Sequence, residues 1–228
     1  MKLLRNLAFV PLSLFPVTGL ADADGLKVVA SFSIIGDMAK QVGGDMVSVT
    51  TLVGPDSDAH VYEPRPQDAA AMAEADVVLI NGLGFEGFIV RLAQSSAPKA
   101  APVELSNGAA TLDMAKDDHG HEEPEHDHGG GIDPHAFQSV ANAQIYVRNI
   151  ADAFCKSDAA NCDAYKANAG AYVAKLAALD VEIKAAVQSI PADKRIVITS
   201  HDAFGYFAKA YGLTFHAPEG ISTESEAS

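Results

Sequence analysis

From residue 27 onward the chain alternates between short apolar runs and segments whose apolar residues recur at helical spacing. Residues 27–31 read as a buried strand, 34–42 as a helix closed by Gly43 and Gly44, and Val47–Val53 as a strand in which apolar and hydroxylated residues alternate. The stretch 54–64 is dense in turn formers, and Pro66 opens a helix through Ala69, Ala70, Met72 and Ala73. Val77–Ile80 is apolar on both faces, as in an interior strand of a parallel sheet, and residues 81–84 turn it into a helix predicted over 85–93. This β-α-β-α rhythm predicts an α/β fold, a parallel sheet with helices on both faces, in which ligands bind at the carboxyl ends of the strands.

The second half begins with a helix over 140–154. A cysteine-flanked turn leads into a longer one over 163–189, whose stripe of Val173, Leu176, Leu179, Ile183 and Val187 faces a core. At ~1.5 Å per residue that helix spans about 40 Å, enough to cross one domain and deliver the chain to another. Rhythm then resumes with a strand over 195–199, a helix over 204–211 and a strand over 213–217. The organisation predicted is a leader over 1–21, a first α/β lobe over 22–155, a linking helix over 156–190 and the start of a second α/β lobe over 191–228.

Composition narrows the function. A 48% hydrophobic chain of 228 residues buries a sizeable core, and 16 basic against 30 acidic residues give a charge of −14. That sign disfavours nucleic acid and anionic membrane and suits cations. Lys2 and Arg5 precede an apolar run over 7–17 and then the small residues Gly19, Ala21 and Ala23, the order of a cleaved secretory signal. No cysteine stands at the cleavage point to take a lipid, so a soluble monomer in the periplasm is expected. In that oxidising space Cys155 and Cys162, seven residues apart, favour a disulfide over a metal site.

The histidines carry the candidate chemistry. His119, His121, His126 and His128 fall in an acidic run that cannot bury a core, inside a loop over 115–131 expected to be flexible and to bind metal weakly. Three glycines end it, and Asp133-Pro134 then restrains the backbone just before His135. His60 lies in the turn-rich loop after the second strand, and His201 at the carboxyl end of a later strand. Each alone is ordinarily a solvated or backbone-bonded loop residue, but three imidazoles with one oxygen donor complete a tetrahedral zinc site. Neutral imidazole is needed for binding, so affinity is expected to fall as pH drops through about 6.5.

Residues 60–64 (HVYEP), 82–86 (GLGFE), 133–135 (DPH), 200–207 (SHDAFGYF) and 211–213 (YGL) resemble, in order, the motifs of zinc-specific solute-binding proteins of ABC importers, of ZnuA and AztC type. The resemblance covers about residues 27–225. It implies two Rossmann-like parallel-sheet lobes joined by one long rigid helix, with Zn(II) between them on His60, His135 and His201. It also implies delivery to an ABC transporter membrane permease, with a periplasmic zinc chaperone as a further candidate partner. Manganese relatives carry a carboxylate at the position of His201, and in many zinc members a fourth ligand is a carboxylate late in the second lobe. The sequence ends at Ser228, in a segment matching the middle of that lobe, so the lobe is expected to be incomplete here and the fourth ligand to be a carboxylate beyond 228 or water.

Three other readings compete. A manganese- or iron-binding member of the same family is one. A zinc hydrolase with Glu63 or Asp202 as base is another, and against it the chain shows neither an H-E-x-x-H helix nor a nucleophile elbow. The third is a periplasmic zinc buffer that uses mainly His119, His121, His126 and His128 and needs no ordered site.

Overall fold

The computed structural model describes residues 25–114, 131–218 and 220–223; the expected leader and His119, His121, His126 and His128 lie outside them. Strands β1 (Leu26–Phe32), β2 (Val47–Val53), β3 (Val77–Ile80) and β4 (Pro102–Glu104) form a wholly parallel sheet in the order β2-β1-β3-β4. The two central strands need apolar residues on both faces. Every residue of β3 is buried, as is β1 from Val28 on, whereas edge strand β2 alternates half-buried with exposed positions as far as Thr51.

Helix α1 (Ser33–Gly43) buries Ile35, Met38, Ala39 and Val42, the spacing of one helical face, and stops where Gly44 adopts a positive φ of 55°. Helix α2 (Pro66–Glu74) opens on its proline. Helix α3 spans Ile89–Ser96, later than the predicted 85–93. Residues 82–84 all hold positive φ, which no α-helix accommodates, and 85–88 continue as tight turns. The carboxylate of Glu86 folds beneath these turns, accepting from Ser31 Oγ (2.6 Å), Asn81 N (2.6 Å) and Gly82 N (3.3 Å). Strand β4 was not predicted; its three residues, opened by Pro102, are too short to show a period.

Helices α4 (Val140–Ser157) and α5 (Cys162–Gln188) pack together and against α1, with the Asn168 side chain donating to Val42 O at 3.0 Å. Ser139 caps α4 by accepting from Asn142 N, and the Cys155–Cys162 disulfide ties the end of α4 to the start of α5. The apolar stripe predicted on α5 is broken: Leu176 and Val187 are buried and Val173 and Ile183 half-buried, but Leu179 is 44% exposed. Helix α5 also touches α6 (Gly205–Tyr211). That helix crosses between β5 (Ile196–Ile198) and β6 (Thr214–His216), a parallel pair whose Ile196 and Ile198 are exposed. No helix among the described residues is long and apolar enough to cross a membrane.

Candidate metal centre

His60 is presented by the loop that leaves the carboxyl end of β2. Asp58 accepts from the His60 backbone amide at 2.9 Å, a local aspartate turn that fixes the loop tip. At the far end of the loop the buried Asp68 carboxylate collects four donors, Tyr62 OH (2.7 Å), Arg65 N (2.7 Å), Arg65 Nη2 (3.1 Å) and Arg65 Nε (3.3 Å). Burial alone would raise the Asp68 pKa, but the guanidinium and these hydrogen bonds hold it below the usual carboxylate range. The tip of the His60 loop is thereby tied to the loop's own Asp58, and its far end to Asp68 of α2.

His135 is 1% exposed and anchored twice by Asp133, whose Oδ1 lies 2.9 Å from the His135 amide and 2.8 Å from ring Nδ1. An ionised carboxylate can only accept, so Nδ1 carries the hydrogen and Nε2 keeps its lone pair. Asn81, at the end of β3, donates through Nδ2 to Pro134 O (2.9 Å) and accepts from the buried Tyr146 hydroxyl on α4 (2.7 Å). Burial, with the nearby Glu86 and Tyr206, pushes the Tyr146 hydroxyl well above its ordinary range, so it stays a donor.

His201 follows β5. Its carbonyl accepts from Thr199 Oγ1 and from Ala203 N, each at 3.0 Å, which closes the turn before α6.

The three imidazoles meet. Ring centroids are separated by 5.3 Å for His60 and His135, 5.3 Å for His60 and His201, and 5.5 Å for His135 and His201. One nitrogen from each lies within 4.8 Å of the other two, and the Nε2 atoms of His60 and His135 are 3.2 Å apart. Nitrogens at ~2.0–2.1 Å around a tetrahedral zinc would stand about 3.3 Å apart, so this pair is already at ligand separation. They line a cavity of about 270 Å³ with Phe32, Phe85 and Phe137; Phe85 packs edge-on against Phe137, His60 and His135, Phe137 edge-on against His135, and Phe32 tilted against the other two phenylalanines.

Electrostatics there favour the neutral form of His60. Burial first, then the neighbouring His135 and His201, push the His60 pKa down to about 4 against the opposing pull of Asp58. The expected midpoint of about 6.5 therefore does not apply to His60. Asp58 also faces the cavity; its burial opposes ionisation, yet the adjacent Thr223 hydroxyl, the His60 amide and the two imidazoles hold its carboxyl below the ordinary range.

Of the residues singled out from sequence, His60, His135 and His201 come together in space, and Cys155 and Cys162 are bonded at 2.06 Å. Sequence reasoning took Asp133 only as a restraint on the backbone and missed its hold on the His135 ring; a carboxylate two residues before a histidine was the available signal. It also missed Asn81 and Tyr146, which are 65 residues apart and leave no local pattern.

Known proteins with this architecture bear on what the cluster does. The family described as ZnuA, zinc-uptake complex component A, periplasmic, matches residues 28–228. The chain is 37% identical over 192 residues, 84% of its length and 60% of the relative's, to the manganese-binding lipoprotein MntA of Halalkalibacterium halodurans. It is 36% identical over 216 residues, 92% of its length and 66% of the relative's, to the iron ABC transporter substrate-binding lipoprotein MtsA of Streptococcus pyogenes serotype M1. A crystal structure of ZnuA superposes with a TM-score of 0.76 at 30% identity, covering 90% of this chain and 75% of that one. The chain thus spans 60% and 66% of the length of these two curated relatives, which are named for binding and transport and not as enzymes. Their names divide over the metal, manganese in one and iron in the other, but they agree on a metal-binding solute receptor. By the match over nearly all of its described length, the chain belongs to the ZnuA family of periplasmic metal-binding proteins.

Proposed function

We propose that this chain captures Zn(II) in the periplasm, holding it on His60, His135 and His201, and hands it to the membrane permease of an ABC importer. The observation that carries this reading is the convergence of three imidazoles from three separate segments, two of them with Nε2 atoms 3.2 Å apart. Asp133, the Asp58 turn and the aromatic wall hold these rings, and restraint of that kind lowers the cost of binding. Three neutral nitrogens suit zinc better than manganese, which prefers carboxylate, carbonyl and water. The fourth position is left to water or to a carboxylate. Captured ions reach the site in an acidic chain, and the histidine-rich stretch supplies weaker ligands near it in sequence.

A second reading, capture of manganese or iron, draws support from the names of the relatives and from Asp58, an acidic oxygen donor at the cavity wall. Competition titration separates the two. Zn(II) and Mn(II) are each titrated against a chromophoric chelator, in the parent chain and in His60→Ala, His135→Ala and His201→Ala. The zinc reading expects one tight equivalent of Zn(II), weakened at least a hundredfold by each substitution, and Mn(II) bound far more weakly. Tighter Mn(II) than Zn(II), or a tight Zn(II) equivalent that survives all three substitutions, overturns it.

A further inference from the structure

His201 follows a strand of the two-stranded β5–β6 sheet and leads directly into α6. Helix α6, which begins four residues after His201, is tied down at both ends. At its far end Tyr211 OH donates to Asp180 Oδ1 on α5 at 2.9 Å. At its near end Tyr206, 5% exposed, reaches into the other side of the site.

There the Tyr206 hydroxyl donates to Asp133 O at 2.6 Å and accepts from Leu112 N at 3.0 Å. Asp133 N in turn donates to Leu112 O at 2.8 Å, so the hydroxyl closes a small ring of hydrogen bonds on the residue that orients His135. The preceding residue is matched to this contact. A Cβ on Gly205 would stand 3.0 Å from Asp133 Oδ2, so the absence of a side chain lets the start of α6 lie directly against the carboxylate. Between His201 and Tyr206 the chain is short and internally bonded, Ala203 N to His201 O at 3.0 Å and Ala208 N to Phe204 O at 2.8 Å, with Ala203 buried.

We infer that Tyr206 is a positioning residue for the metal centre, its hydroxyl fixing the segment that bears His201 to the Asp133-Pro134-His135 segment at ligand distance. The inference rests on the proposed ligand role of His201. One phenolic hydroxyl joins both sides of the site, so its loss acts on the geometry of the donor set while leaving the buried ring in place.

The test is Tyr206→Phe in the full chain, read by Zn(II) competition titration and by the visible spectrum of the Co(II)-loaded form, which reports coordination geometry. One net hydrogen bond predicts binding weaker by about fivefold, with the Co(II) bands shifted away from those of a four-coordinate site. In a His201→Ala background the same substitution changes affinity less than twofold, whereas in a His60→Ala background the loss persists. Gly205→Ala, which keeps the hydroxyl but pushes α6 off Asp133, gives a loss in the same direction that also vanishes without His201. Affinity within twofold of the parent for both variants overturns the inference, as does a loss that persists in the His201→Ala background, which would place the effect on His135 or on folding. If His201→Ala itself leaves zinc affinity unchanged, the ligand assignment fails and this inference falls with it; if it weakens binding while Tyr206→Phe does not, the positioning role alone fails.

Discussion

Replacing Asp133 by asparagine isolates what the carboxylate contributes to the site. Asp133 is 4% exposed and accepts from both the amide and Nδ1 of His135, at 2.9 and 2.8 Å. Asparagine keeps the volume and one acceptor but removes the charge. A hydrogen bond to a charged acceptor is worth about 1.5–3 kcal/mol and a neutral one about 1, so the difference is about 0.5–2 kcal/mol, or roughly 2- to 30-fold in affinity. Loss of the partner that holds a ligating histidine typically costs about 10- to 100-fold, which overlaps that range. If the amide instead turned its NH₂ toward Nδ1, the ring would be driven to the tautomer with hydrogen on Nε2, the atom aimed at His60. We expect Asp133→Asn to weaken Zn(II) binding about 10- to 30-fold, measured by chelator competition at pH 7.5, with the metal-free protein still unfolding cooperatively. An affinity within twofold of the parent, alongside a large loss in His135→Ala, would show that the carboxylate does not orient the ring and would refute the reasoning.

Two further outcomes are expected. In the metal-free protein the His60 ring should titrate near pH 4, followed by its carbon-bound proton resonances. Because this folded pKa lies below the unfolded value of about 6.5, the unfolded chain alone takes up the proton between those limits. The stability contributed by neutral His60 is therefore complete above about pH 6.5 and lost as pH falls toward 4; a midpoint near 6.5 would contradict the burial argument. Replacing Cys155 and Cys162 by serine should lower stability by about 2 kcal/mol in urea unfolding, the entropy of closing so short a loop, with zinc affinity within threefold because the bond lies at the end of α4 remote from Val140. A tenfold or greater fall in affinity would show that the α4–α5 turn is coupled to the site.

What could be read from sequence follows from range. The wholly apolar β3 and the amphipathic α1 and α4 carry their burial in their own periodicity, and the three histidines stand out because turn formers or strand ends surround each. Interactions between distant segments left no such trace. Tyr206 and Asp133 are 73 residues apart, and Glu86 reaches Ser31 across 55, so neither the clip on α6 nor the buried cap that delays α3 could be seen in a local window. Leu179 failed for another reason: its spacing on α5 is that of a buried stripe, yet it is exposed between the buried Leu176 and Val187. The relatives place the chain in a family, while the metal it takes is decided by side chains within a few ångströms of one point.

The most direct test of that point is the zinc K-edge absorption spectrum of the protein carrying one equivalent of Zn(II), with His119, His121, His126 and His128 replaced by alanine so that only the cleft is read. The account predicts a four-coordinate ion with three imidazole nitrogens at about 2.0–2.1 Å and one oxygen, and one imidazole fewer in each of His60→Ala, His135→Ala and His201→Ala. A shell dominated by oxygen, or a spectrum unchanged by those substitutions, would contradict it.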